Sequence, residues 1–266
     1  MIPSDQTIDV TLFDFLSLNK NRYIYIFGGG GKTTLMSRCA LLLSQRGFRT
    51  ITTTSTKILY PQNQERESII IHPDLQTVIT RSKLAFKKYK HLTIAKGHFD
   101  NQNKLIGFAP EELDLLWKEK IADYLIVEGD GAAGRPLKVH ADHEPVLSNH
   151  ADVFCAVFGI ETIGKPFNSQ YVHRFELART RLQKEPMSPI SLSDVTRLFF
   201  HSKGTCNRVP TRDKLNVFIN KCDKYEDRQL ALKLSRTLRK EDHNHQINKI
   251  AMGCFLSPAW VEEIPG

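Results

Sequence analysis

The stretch "YIYIFGGGGKTTLM", residues 23–36, sets four consecutive glycines between an apolar run and Lys-Thr-Thr. An apolar strand, a glycine turn and a helix start in that order leave few folds open. Tyr23 to Phe27 reads as a buried strand and Thr33 to Gln45 as a helix, with Gly47 as its stop signal. The full phosphate-loop pattern G-x-x-x-x-G-K-[ST] lacks its first glycine here, because Ile26 stands in that place. What remains is Gly28-Gly29-Gly30-Gly31-Lys32-Thr33-Thr34, with the strand before it and the helix after it that the motif requires. Glycines let successive backbone N–H groups turn inward around a phosphate, and the helix start adds unpaired N–H groups and partial positive charge. Lys32 is then expected to reach the β- and γ-phosphates and the Thr33 hydroxyl to ligate Mg2+. A dinucleotide fingerprint fits less well, since G-x-G-x-x-G counted from Gly28 needs glycine where Thr33 stands.

Strand-like and helix-like patterns alternate along most of the chain. Strands are expected over Phe48–Thr53, Ser68–Ile71, Leu92–Ala95, Tyr124–Val127, Val153–Phe158, Val217–Ile219 and Ile250–Phe255. Helices are expected over Asp9–Leu18, Asp74–Tyr89, Glu111–Glu119, Ser191–His201 and Glu226–Lys240, with Asp194 placed for a capping box. Alternation of this kind predicts an α/β fold, a mostly parallel sheet flanked by helices in the three-layer sandwich of P-loop NTPases. No linker is evident, so residues 1–266 read as a single domain, with an insertion or lid expected at the irregular segment 159–189.

Composition narrows the setting. No apolar run approaches the roughly 20 residues of a membrane helix, and the N-terminus lacks signal-peptide zoning. The five cysteines lie apart without a C-x-x-C pair, so neither disulfides nor structural zinc is expected and a reducing cytoplasm is the default. The formal charge of +8 suits nucleic acid, phosphates or an acidic partner equally. Arg81, Lys83, Lys87, Lys88 and Lys90 lie along a helix without interleaved aromatics, which reads as a solvated face rather than a nucleic-acid surface.

Three further stretches belong with the glycine loop. "TTTSTK", Thr52 to Lys57, puts hydroxyls at the carboxyl end of a strand, and Thr54 is the candidate Mg2+ ligand among them. "DYLIVEGDGAAGRPLK", Asp123 to Lys138, is a buried strand ending in Glu128 and Asp130, either of which suits a Walker B carboxylate holding hydrated Mg2+ opposite Thr33. With Gly131 and Gly134 these acids read E-x-x-G and D-x-x-x-G, and Arg135 and Lys138 follow as charges for a phosphate, a partner or solvent. "LNVFINKCDKY" ends a strand in Asn220-Lys221-Cys222-Asp223, the pattern N-K-x-D. One carboxylate there accepts both N1–H and N2–H of guanine, so Asp223 favours GTP over ATP, Asn220 braces the loops and the Lys221 stem covers the ring. The Ser-Ala-Lys that often completes a guanine pocket does not appear in Gly253–Ser257. His140, Asp142, His143 and Glu144 lie in an irregular loop between Pro136 and Pro145 with no third metal ligand in view, so hydrogen bonds that pin this loop are the expected role.

The stretches "GGGGKTTLM", "ITTTSTKI", "KLIGF", "LIVEGDGAAGRPLKVHADHEPV", "VHRFE" and "FINKCD" together resemble the YqeC-type selenium-dependent hydroxylase accessory proteins. Gly129 departs from that family's Glu-Ala-Asp-Gly-Ala, and the last ~40 residues match no motif of it. The resemblance implies a nucleotide-binding protein that matures or inserts the cofactor of a molybdenum hydroxylase. It assigns phosphate binding to Gly28–Thr34, the acidic switch to Glu128 and Asp130, and the base site to Asn220 and Asp223. His143, Glu144 and Arg174 also match its motifs, without an assigned role.

The expected activity is slow GTP hydrolysis with Lys32, Glu128 and Asp130 as the catalytic groups. No glutamine is placed to orient the water, so a partner or a second copy in a homodimer is expected to supply missing groups. Two alternatives stand beside it: phosphoryl or nucleotidyl transfer to a small cofactor precursor, and a non-enzymatic basic binding module.

Overall fold

A computed structural model describes residues 11–61, 67–210, 214–256 and 259–265. In chain order the strands are β1 (Tyr23–Gly28), β2 (Thr50–Thr54), β3 (Lys57–Leu59), β4 (Glu67–Ile71), β5 (His91–Ala95), β6 (Gly97–Phe99) and β7 (Lys104–Ile106). They continue as β8 (Tyr124–Glu128), β9 (Leu137–Lys138), β10 (Val153–Gly159), β11 (Val172–His173), β12 (Leu215–Asn220), β13 (Ile247–Cys254) and β14 (Trp260–Ile264). The helices are α1 (Lys32–Gln45), α2 (Leu75–Ala85), α3 (Pro110–Lys118), α4 (Phe175–Leu182), α5 (Leu192–Phe200) and α6 (Tyr225–Glu241). The chain is also helical at 11–15; residues 9 and 10 of the expected first helix lie outside the described residues.

The main sheet has nine strands in the order β14-β13-β12-β10-β1-β8-β2-β5-β4. All neighbours run parallel except β14, which pairs antiparallel with β13. Its central strand shows why it is apolar throughout. Tyr23, Tyr25 and Phe27 enter the core on one face, while Ile24 and Ile26 enter the core on the other. Side chains alternate between faces, so a strand covered on both sides has no position for a polar residue. The first face packs under α2, α3, α4, α5 and α6, and the second under α1 and the segment around Leu12, Phe15 and Leu16.

Local signals set the helix starts. Asp74 accepts the Thr77 N–H at 2.7 Å, and Ser191 and Asp194 form the expected reciprocal capping box at the start of α5. Two features went beyond the sequence reading. A small antiparallel sheet, β3-β7-β6, sits beyond the carboxyl ends of β2 and β5. It docks where Gly107 passes the end of β2: a Cβ there would lie 1.7 Å from the Thr54 carbonyl oxygen, to which the Phe108 N–H donates at 3.1 Å. The segment expected as an insertion or lid, 159–189, carries Ile160, Phe167, Val172, Ala178 and Leu182 into the main core, and its β11 pairs with β9.

Candidate nucleotide-binding site

Every strand beside β1 in the parallel sheet delivers its carboxyl end to the same edge, where Gly28, Thr54, Glu128, Gly159 and Asn220 meet. Ile26 and Thr54 both stand in register with Glu128, and Gly159 stands in register with Asn220. The chain reverses its strand order at β1, and open α/β sheets bind ligands in the crevice at such a point.

The loop departs from the expected nest in its first half. The Gly28 N–H donates to both oxygens of Asp130 at 3.1 Å, the Gly29 N–H to the Val157 carbonyl at 2.9 Å and the Gly30 N–H to the Arg135 carbonyl at 3.2 Å. Three of the four glycine amides therefore bind protein acceptors. The amides of Gly31, Lys32, Thr33 and Thr34 form the open first turn of α1, which has neither a side-chain cap nor an acidic residue. That turn is the anion-facing element. Gly31 is held at φ 127°, and a Cβ on it would lie 2.1 Å from Asn220 Nδ2. The glycine thus admits Asn220, which donates to the Gly30 carbonyl at 2.8 Å and ties β12 to the loop.

Lys32 is 5% exposed and folds back on its own strand end. Its Nζ donates to the Gly28 carbonyl at 2.8 Å and lies 3.3 Å from Asp130 and 3.5 Å from Glu128. Burial alone disfavours the ammonium, but the two carboxylates outweigh it and raise its pKa. Thr33, exposed at the mouth, donates to Glu128 Oε2 at 2.7 Å. Burial raises the Glu128 pKa against the opposing pull of Lys32 and Thr33. This hydroxyl and this carboxylate are two hard oxygen donors side by side, the donor chemistry that suits a hydrated Mg2+. Among the described residues no group of three His, Cys, Asp or Glu side chains is placed to cage an ion.

Two of the expected metal ligands are taken up by hydrogen bonds and ion pairs within the protein. Thr54 is fully buried; its hydroxyl donates to the Glu128 carbonyl at 2.7 Å and accepts from the Thr56 N–H at 3.0 Å, so it fastens β2 to β8. Asp130 is likewise enclosed. Besides the Gly28 amide it receives His140 Nε2 at 2.9 Å, and Lys138 Nζ lies at 3.2 Å. Burial pushes its carboxyl up, but Lys32, His140 and Lys138 together hold it far below the carboxylate range. Its oxygens are consumed by the protein, which makes Asp130 an anchor for the glycine loop rather than an open ligand or a group facing substrate.

The same network explains the loop after Asp130. Lys138 donates to the Gly131 carbonyl and pairs with Glu144 at 3.2 Å, and Arg174 Nε donates to Glu144 at 2.8 Å. Three of the residues singled out by motif, Lys138, Glu144 and Arg174, are thus one chain of charges behind the loop, and His143 is exposed beside it. Arg135 donates to the Ala133 and Ser169 carbonyls. Burial raises the Glu144 carboxyl, but Arg174 and Lys138 overcome this and bring it down from 4.5 to about 2. The native carboxylate therefore stays ionised where the unfolded one is protonated. Its contribution is complete above pH 4.5 and is lost as the pH falls to about 2. A melting-temperature series is expected to show Glu144→Gln less stable than wild type at pH 7, with a shallower decline below pH 4.5. Parallel curves would refute the assignment.

At the base end, Asp223 is exposed and accepts from Cys254 Sγ, while Lys221 adopts φ 64° and pairs with Glu161. Glu161 was not legible as a site residue, because it follows β10 in the 3-10 turn Ile160–Thr162 and no motif marks it. Ser257, the last residue of the stretch Gly253–Ser257, lies outside the described residues. Arg81, Lys83, Lys87, Lys88 and Lys90 are all exposed, and all five cysteines are buried and outside any disulfide. No helix among the described residues is long and apolar enough to cross a membrane.

A glycine loop between the central parallel strand and α1, with a hydroxyl and an acid paired across it, defines an α/β protein with a mostly parallel sheet and a strand–glycine–helix unit of the phosphate-loop kind. The sequence profile described as "YqeC protein" matches residues 24–176, and the chain belongs to that family. It is 29% identical over 225 residues to "Uncharacterized protein YqeC" of Escherichia coli (strain K12), covering 82% of this chain and 83% of that one. Among solved structures, the signal recognition particle 54 kDa protein of Aeropyrum pernix K1, in complex with GDP, aligns at TM-score 0.38 and 14% identity. That alignment covers 95% of this chain and 49% of the other, so the chain spans about half the length of that structure.

Proposed function

We propose that this protein is a Mg2+-dependent P-loop nucleoside triphosphatase that prefers GTP. The observation that carries the reading is the contact of Thr33 with Glu128 at 2.7 Å beside the open first turn of α1. The amides of Gly31–Thr34 bind the phosphates, and Lys32 leaves its carboxylate partners for the β- and γ-phosphates. Thr33 and Glu128 hold the ion, Glu128 through water. Held by Thr33 and Glu128, Mg2+ would supply positive charge against the negative charge that develops on the transferred group. Asn220 braces the loop and Asp223 reads guanine N1–H and N2–H, with the Lys221 stem over the ring.

The support for GTP is the placement of N-K-x-D at the end of β12, tied to the Gly30 carbonyl through Asn220 at 2.8 Å. Turnover by the protein alone is slow, because among the described residues no glutamine is placed to orient water, and a partner or second copy completes the site. Membership of the YqeC family, with the resemblance carried by "LIVEGDGAAGRPLKVHADHEPV", supports a place in maturing a selenium-dependent molybdenum hydroxylase or inserting its cofactor. The test is calorimetric titration with GTP and ATP, with and without Mg2+, repeated on Asp223→Asn. Wild type is expected to favour GTP by about tenfold or more and the variant to lose that preference. A wild type that prefers ATP overturns the base assignment.

A further inference from the structure

An open cleft of about 600 Å3 lies behind the glycine loop, between the loop around Ala141 and Asp142, helix α4, and His201–Lys203 after α5. Its volume falls in the range of small-molecule sites. Its charge is unbalanced. Asp142 is the carboxylate that lines it, and that acid is shared by Lys203 at 2.9 Å and Arg208 at 3.5 Å. Arg181, partly buried on the cleft wall, has no carboxylate within 4.0 Å among the described residues. Its guanidinium donates to two neutral acceptors, the His140 carbonyl at 2.9 Å and the Lys203 carbonyl at 3.2 Å. The Arg208 Nε beside it is buried without an acceptor.

Burial and the charge of Arg208 work against the Arg181 cation, the charge of Asp142 works for it, and the net lowering is that of a guanidinium only partly compensated. A guanidinium offers a planar fork of donors and an ammonium a point charge, the two donor types that recognise a phosphate dianion, and Arg181 and Lys203 both line this cleft. Leu177 adds an apolar wall for the body of a ligand.

We propose that this cleft, with Arg181 and Lys203 as its anion-binding groups, is a second ligand site for a phosphate-bearing small molecule, separate from the glycine loop. It does not depend on what the glycine loop binds. His140 connects the two, since its carbonyl accepts from Arg181 and its Nε2 contacts Asp130, the anchor of Gly28.

The test uses the full-length wild-type protein and ribose 5-phosphate as the probe. Phenylglyoxal labelling, mapped residue by residue by mass spectrometry, is expected to slow at Arg181 with ribose 5-phosphate or inorganic phosphate and to be unaffected by ribose. Residue-level mapping separates this from any binding at the glycine loop, which contains no arginine. By calorimetry Arg181→Ala is expected to weaken ribose 5-phosphate binding by about tenfold or more, with partial recovery in Arg181→Lys. Arg179→Ala, on the exposed side of the same helix, is expected to leave it unchanged. No protection at Arg181, equal protection by ribose, or Arg181-dependent binding of an acidic peptide in place of the phosphate ester each overturns the proposal.

Discussion

Replacing Lys32 with alanine is expected to lower single-turnover GTP hydrolysis by about 100- to 1,000-fold, the cost of removing one preorganised charge from a phosphoryl-transfer site. Lys32 is placed for this on structural grounds. It sits at the first position of α1, and two carboxylates keep it protonated. Its Nζ is held by the Gly28 carbonyl, Asp130 and Glu128, at the base of the loop that leads into the helix. The measurement is phosphate release under single-turnover conditions, normalised to the folded fraction by circular dichroism. Equal rates in wild type and variant would rule out the mechanism, whereas a labelled organic product in place of free phosphate would favour transfer to a small acceptor.

Asp130→Ala is expected to act on the fold more than on the chemistry. The carboxylate is completely buried and compensates Lys138, Lys32, His140 and the Gly28 amide at once. Removing one partner from a buried ionic group leaves the others desolvated and unpaired, at a cost of about 3–5 kcal/mol. For a domain of this size that lowers the melting temperature by roughly 10 °C. Were Asp130 an open Mg2+ ligand, the variant would melt near wild type and lose only ion-dependent turnover. A melting temperature within about 2 °C of wild type would therefore remove Asp130 from its anchoring role.

The contrast between Glu128 and Asp130 shows where sequence reading stopped. Both end the same buried run and both match a switch spacing, so nothing along the chain separates them. Their difference arises from residues far away in sequence. Gly28, Lys138 and His140 enclose Asp130, while Glu128, buried as well, meets Lys32 and the exposed Thr33 at the mouth. Thr54 makes the same point: its hydroxyl donates to the carbonyl of the neighbouring strand, and strand register is invisible until the sheet forms.

The sequence alone determined the layer type, the strand–glycine–helix unit and the carboxyl-edge placement of Glu128 and Asn220. Those follow from local rules: apolar runs too short for helices become strands, and glycine before Lys-Thr marks a helix start. Only the tertiary structure decided which glycine amides the protein's own acceptors take, which acid meets Thr33, that the segment 159–189 sends side chains into the core, and that Arg181 has no carboxylate within 4.0 Å among the described residues. Each of those depends on which distant groups arrive at one point, and a buried charge takes its role from the partners that meet it there.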